Sequence, residues 1–328
     1  MRTGRRSRLP CVTTAEDEPA PAPPPQVVER LHRTLDHLPS LAGEPRTVTP
    51  LAGGLTNFNF KVSTPVRTAV VRLSSSDGDL LAIDRDAEHA NSLRAAESGA
   101  APAVLDYLPD HQALVVEWVE GTTLTAQDLH AEATLVRAAA VCRMLHSGPR
   151  FVGDFDMFDV QRRYLSIVQE RGYRLPPGYL DLLPEVDRVA AALGVRQEPT
   201  VPCNNDLLAA NFIDDGERLW VIDYEYAGNN DPCFELGNIW SESDLPLDHL
   251  TLLVDSYYGR HLRHKVARAR LLGLMAKYGW TLWASIQVAV SPIDFDFWSW
   301  GMEKYDRAVE EFEGAGFDRL LDEARRPD

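Results

Sequence analysis

No stretch of the 328-residue chain approaches the roughly 18 consecutive apolar residues that a membrane-spanning helix needs. The basic start between Arg2 and Arg8 runs into Pro10 and then acidic residues instead of an apolar signal core. A cytoplasmic protein without membrane insertion is therefore expected. Basic residues are few: 33 Lys and Arg against 49 Asp and Glu leave a formal charge of −16, which disfavours nucleic acid and anionic membranes as partners and favours a cationic ligand. Cysteine is scarce too. Cys11, Cys142, Cys203 and Cys233 lie far apart, with no CxxC pair and no histidine at ligand spacing. Neither a disulfide framework nor a structural zinc site is indicated, and incidental or buried thiols are expected.

What the chain does have is enough length and apolar content, 45% of residues, for one large two-lobed domain or two ordinary ones. Residues 1–25 end in a Pro/Ala run from Pro19 to Pro25 and lack apolar periodicity, which predicts a disordered tail. Strand-like runs at 47–51, 57–62 and 68–73 are separated by Gly53-Gly54 and Pro65, a pattern that predicts an antiparallel meander. A helix is predicted over 84–98 and two more strands over 103–108 and 112–119, with the turn at Asp110-His111. After Glu120-Gly121 the pattern changes to amphipathic segments at 125–147, 160–171, 178–193, 247–260, 267–290 and 296–313. The fold class expected is α+β: a small antiparallel-sheet lobe over 26–119 and a mostly helical lobe over 120–328. Polar residues between short β-prone pieces crowd residues 200–231, where loops anchored on strands tend to carry chemistry.

Within that crowd, Asp206 and Asn211 stand in an AspX4Asn arrangement, and Asp223 follows twelve residues after Asn211, behind Val221-Ile222. Phosphoryl transfer uses such a set. One carboxylate accepts the proton of the attacking hydroxyl, while another carboxylate and an amide oxygen hold magnesium against the phosphates of ATP. Asp206 fits the first role, Asn211 and Asp223 the second. An isolated AspX4Asn is usually only a surface loop; the second aspartate and the upstream lobe give it weight. Upstream, Gly53, Gly54, Thr56 and Asn57 lie between two predicted strands, where glycine lets backbone amides approach phosphate oxygens, although such a turn is more often just a hairpin. Arg72 sits among apolar residues of the third strand, and Glu88 follows sixteen residues later in the next helix. A charge in that setting calls for a partner, and kinases pair a strand cation with a helix glutamate to bind the α and β phosphates. The alternative for Arg72 is an exposed edge-strand position.

On these residues the chain resembles the choline/ethanolamine kinase family, within the aminoglycoside phosphotransferase-like group of the protein-kinase-like fold. The resemblance spans about residues 45–312 and rests on 53–57, 70–73, 84–88, 205–211, 231–238 and above all on Ile222-Asp223-Tyr224-Glu225-Tyr226-Ala227-Gly228. It implies that Asp206 is the catalytic aspartate, that Asn211 and Asp223 are magnesium ligands, and that the backbone at Trp118 and Val119 receives adenine. One position departs from the family: Asn204 stands where a histidine is usual, two residues before the catalytic aspartate. Asparagine still donates and accepts hydrogen bonds, but a slower or degenerate enzyme remains an open alternative.

Trp280 with Trp283, and Phe297 with Trp300, each repeat an aromatic at i and i+3, and so share a helix face. Such stripes are more often core; in the resembling family this stretch cages choline, where ring faces stabilise a trimethylammonium by cation–π attraction. Glu225 and Glu242 add negative potential nearby, although some acids in this region, Glu235 among them, are expected to tie the catalytic loop to helix ends. These features place choline ahead of ethanolamine as the expected acceptor. An aminoglycoside or another hydroxylated metabolite, or a non-catalytic ligand-binding role, are the competing readings. The oligomeric state is open.

Overall fold

The computed structural model describes residues 23–43, 45–52, 56–74, 78–81, 83–291 and 293–328. Gly53, Gly54, Cys11 and almost all of the expected tail lie outside the described residues. The helix α1 (Pro25–Leu35) starts at the last residue of that tail, with proline in the first turn where its missing N–H costs nothing. Its Val27, Leu31 and Leu35 recur on one face and are buried.

Five strands, β1 (Thr47–Pro50), β2 (Asn57–Ser63), β3 (Thr68–Ser74), β4 (Val104–Leu108) and β5 (Ala113–Glu117), form an antiparallel sheet in the order β1-β2-β3-β5-β4. Phe60, Val62, Ala69, Val71 and Leu73 alternate along β2 and β3 and form one core with α1. Because side chains alternate across a strand, Arg72 emerges on the opposite face from Val71 and Leu73. The strand is central, not an edge. A short turn of helix, α2 (Gly78–Leu81), leads into α3 (Arg85–Ser98), which is capped at its start by Asp84 accepting from the amides of Asp86 and Ala87 and ended by Gly99 at φ 83°.

Residues 118–121 carry the chain out of this sheet. Beyond them β6 (Thr122–Thr123) is followed by α4 (Glu132–His146), α5 (Met157–Glu170), α6 (Leu183–Gly194), β7 (Val201–Cys203), β8 (Phe212–Asp214), β9 (Leu219–Val221), β10 (Gly228–Asn230), α7 (Pro232–Glu242), α8 (Leu247–Tyr258), α9 (Arg263–Val290), α10 (Phe297–Phe312) and α11 (Phe317–Arg325). The strands form two small sheets, β6-β8-β9 and β10-β7, that frame the polar loops. Leu207, Phe212 and Val221 anchor them in a second and larger core. The amphipathic segments expected from sequence match α4, α5, α6, α8, α9 and α10, with ends shifted by zero to seven residues. In the second lobe two helices escape that reading. In α7 every residue from Pro232 to Ser241 is buried, so no polar face gives it a period, and α11 lies beyond the last segment recognised.

The central helix α9 is buried nearly all round. It meets α7 through two glycines: a Cβ on Gly237 would lie 2.1 Å from the carbonyl oxygen of Ala269, and one on Gly273 would lie 2.6 Å from that of Gly237. Both contacts are with backbone, which cannot rotate away. Gly237→Ala is therefore expected to push α7 off α9 and destabilise the protein by about 1–3 kcal/mol. Thermal melting checks this; an unchanged midpoint would show that the crossing is looser than it stands here.

Candidate active site

The strand β7 ends at Cys203 and leads into the loop of Asn204, Asn205 and Asp206. Glu235, wholly buried on α7, accepts from the backbone amides of Asn204 (2.9 Å) and Asn205 (2.8 Å). Asn205 adopts φ 68° and donates from its side chain to the carbonyls of Cys203, Tyr226 and Gly228, which stabilises a conformation that asparagine tolerates better than most residues. Asn204 accepts from the Asp206 amide (3.1 Å) and donates to the carbonyls of Ile222 (3.2 Å) and Asp223 (2.7 Å). The departure at this position thus retains a cross-link between the loop bearing Asp206 and the loop bearing Asp223. His146 lies 3.6 Å from both Cys203 Sγ and Glu235, a grouping of distant residues that no local spacing reveals, and Cys142, Cys203 and Cys233 are buried free thiols.

Asp206, Asn211 and Asp223 come together as the sequence spacing suggested. Asn211 donates through Nδ2 to the Asp206 carbonyl (2.7 Å), which leaves its Oδ1 for a cation. Asp223 adopts φ 64°, and its Oδ1 accepts from Arg72. Burial, then Glu242, Asp223 and Glu225, push the Asp206 carboxyl well above the usual carboxylate range, and Lys304 partly opposes this. A recess so rich in carboxylates suits a hard divalent cation: Asn211 Oδ1 and the free oxygen of Asp223 are the oxygen donors such an ion takes.

Arg72 reaches Glu88 with one guanidinium nitrogen and Asp223 with another. Its burial disfavours the charge, but Asp223, Glu88 and Glu225 more than offset this and hold its pKa above the ordinary value. Arg85, which the sequence reading passed over, donates to Glu88 (2.7 Å), to Glu225 (3.3 Å) and to Asn57 (3.1 Å). Glu225, expected to add negative potential near the acceptor, still acts on Asp206 but is bonded to the first lobe. Its Oε1 accepts from Thr56 (2.8 Å) and its Oε2 from Asn57 (2.8 Å), so the carboxylate clasps the sheet. Thr56 and Asn57, expected at the nucleotide, are held by the same clasp. The Glu225 carboxyl is pushed up to about 7 by burial and Asp223, against the pull of Arg72 and Arg85. Trp118 donates its backbone amide to Thr68 at 3.3 Å, while Val119 has no hydrogen-bond partner among the described residues.

The four aromatic residues do not form open pairs. Trp280 (4% exposed) packs against Tyr226 and Phe155, and Trp283 (6%) lies edge-on to Phe297 (3%) and Trp300 at ring separations of 5.7 and 5.5 Å. Trp283 Nε1 donates to the Tyr226 hydroxyl (2.9 Å), so Tyr226 links the two groups, a role marked in the sequence only by its place in the 222–228 run. Glu242 forms a buried ion pair with Lys304, whose ammonium lies 4.2 Å from the Trp300 ring centroid.

A strand arginine tied to a helix glutamate, a loop aspartate with an asparagine behind it and a second aspartate across the groove define a two-lobed phosphotransferase with a protein-kinase-like fold. The family model described as a phosphotransferase enzyme family, APH, matches residues 47–274, and the chain belongs to that family of small-molecule kinases. A choline/ethanolamine kinase family protein from Mesorhizobium loti superposes with a TM-score of 0.80 at 29% identity, over 91% of this chain and 99% of that one. The choline kinase LicA of Streptococcus pneumoniae shares the fold, with a TM-score of 0.74 at 21% identity over 88% of this chain and 99% of that one. Ethanolamine kinase 2 of Mus musculus is 26% identical over 270 residues, 73% of this chain and 68% of its own length. Among the described residues no helix is long and apolar enough to cross a membrane.

Proposed function

We propose that the protein is an ATP- and magnesium-dependent kinase that phosphorylates the hydroxyl of a small amino alcohol, choline or ethanolamine. The observation that carries this reading is the acidic recess in which Asp206 stands beside Asn211, Asp223 and Glu242, with the Trp283 and Trp300 cluster nearby. Residues 26–119 serve as the nucleotide lobe, with Val119 facing adenine and Arg72 the phosphates, and 120–328 as the acceptor lobe. A cytoplasmic location suits the use of ATP.

Asp206 is placed to align the acceptor hydroxyl and take its proton as the oxygen attacks the γ-phosphorus. Arg72, fixed by Glu88, offers a charge that phosphate oxygens accept in place of Asp223. Asn211 and Asp223 would hold magnesium, which when bound neutralises phosphate charge. An acidic recess also attracts a cationic acceptor, the property that favours an amino alcohol over a neutral metabolite.

The test is ATP consumption by the purified protein with choline, ethanolamine, their methylated relatives and a panel of aminoglycosides. Turnover is expected on the amino alcohols and should vanish when magnesium is chelated. Turnover confined to aminoglycosides would replace this acceptor class, and ATP binding without turnover on any acceptor would make the chain a ligand-binding protein.

A further inference from the structure

Lys277, on α9, is buried (7% exposed) and forms no ion pair among the described residues; its Nζ rests over the Trp240 ring, 4.3 Å from the centroid. A buried ammonium without a counterion is costly. Burial lowers its pKa to about 8, with Glu311 and Glu242 opposing this and Arg307 and Lys304 adding to it, so at neutral pH it is still a cation. Lys277 lines a cavity of about 400 Å³ bounded by the end of α7, by α9 and α10, and by the start of α11. Among the described residues its walls include none of Asp206, Glu242, Trp283 and Trp300, so it is separate from the recess at Asp206.

The other wall cations already have partners. Arg270 is held by Glu311 (3.0 Å), and Arg307 by Asp244 (2.7 Å) and Glu303 (2.6 Å); Glu310, also at the wall, is exposed to water. Lys277 is thus the buried charge that lacks an opposite. A second set of donors stands at the same cavity. The helix α11 begins there, with Gly316 and Phe317 in the wall; no side chain caps it, and the amides of Asp318 and Arg319 have no partner among the described residues. Free amides at a helix start carry the positive end of its dipole and suit a phosphate group. The acid of that first turn, Asp318, is taken by Arg188. An ammonium from α9, a helix start on α11 and the guanidiniums of Arg270 and Arg307 approach from different elements, and a group with three terminal oxygens accepts from them better than a carboxylate with two.

We propose that this cavity is a second ligand site, and that it binds a phosphate group, free or as a small phosphate monoester, through Lys277 and the first turn of α11. Phe317 and Leu320 give the carbon chain of an ester an apolar wall. Once bound, the phosphate supplies the counterion that Lys277 lacks and ties α9 to α11. The site goes beyond the kinase reading and does not depend on it.

The test is calorimetry and thermal melting of the full chain with inorganic phosphate, phosphoethanolamine and acetate, in the presence of magnesium and a saturating non-hydrolysable ATP analogue that closes the nucleotide site to phosphate. Phosphate or its ester is expected to bind under these conditions and to raise the melting temperature by about 3 °C or more at saturation. Lys277→Met should bind phosphate about tenfold or more weakly, the loss of one charge-assisted contact. In phosphate-free buffer the same variant should melt higher than the unaltered protein, because an uncompensated buried charge is gone. Lys277→Gln, polar but uncharged, should weaken phosphate binding likewise and decides the matter if Lys277→Met does not fold. Tighter binding of the ester than of the free anion identifies a monoester as the occupant, and equal binding identifies the free anion. Phosphate binding unchanged in the Lys277 variants, acetate bound as tightly as phosphate, or no phosphate binding in the presence of the analogue overturns the proposal. Failure of the analogue itself to bind counts against the kinase reading alone, since the Lys277 variants still decide this one.

Discussion

Asp206→Ala is expected to lower kcat by about 10²–10⁴-fold while leaving ATP affinity nearly unchanged, because this carboxylate faces the acceptor hydroxyl and not the nucleotide. Turnover from single-turnover or coupled assays and nucleotide affinity from calorimetry would separate the two effects. The environment adds a pH signature. Burial with Glu242, Asp223 and Glu225 around it raises the Asp206 pKa, so the ionised base forms only at higher pH than for an exposed aspartate. The rate of the unaltered enzyme should therefore climb on the acid side through that raised value, and the residual rate of Asp206→Ala should lack this limb. Near-normal turnover in the variant would remove Asp206 from the chemistry and, with it, the kinase reading of the site.

Arg72→Met should have the largest effect on stability. Arg72 is buried between Glu88 and Asp223, and its loss leaves the Glu88 carboxylate, 3% exposed, with Arg85 as its remaining ionic partner. Removing one member of a buried pair costs about 3–5 kcal/mol because an uncompensated charge stays behind. The melting temperature is expected to fall by roughly 10 °C, and KM for ATP to rise, since the phosphates lose their cation. Burial alone would raise the Glu88 pKa, but Arg72 and Arg85 bring it below the ordinary value. Its contribution to stability is then present above the unfolded carboxylate pKa and lost as pH falls through the lower folded value. Arg72→Met should weaken that dependence. The double variant Arg72→Met/Glu88→Gln removes both charges and should recover part of the lost stability. A single variant that melts at the normal temperature would show that the pair is not closed in solution.

The sequence by itself determined the sheet of the first lobe, most of the helices of the second and the pairing of Arg72 with Glu88. These are local matters: period-two alternation in β2 and β3, glycine and proline breaks, and a charged residue in an apolar strand that must find its opposite in the next helix. The AspX4Asn spacing likewise sets Asn211 against the backbone of Asp206 within one loop. Tertiary structure alone decided the rest. No period could show α7, because a helix buried on every side has no polar face to mark it. Nothing local assigns Glu225 to Thr56 and Asn57, nearly 170 residues away. The aromatic repeats correctly placed rings on shared helix faces, but whether those faces are open depends on what the neighbouring helix presents. That is α10, which brings Trp300 and Phe297 onto Trp283 and Lys304 onto Glu242. Identity and spacing fix which side chains share a face; the charge and free volume that a ligand meets are sums over elements distant in the chain, and only packing sets them.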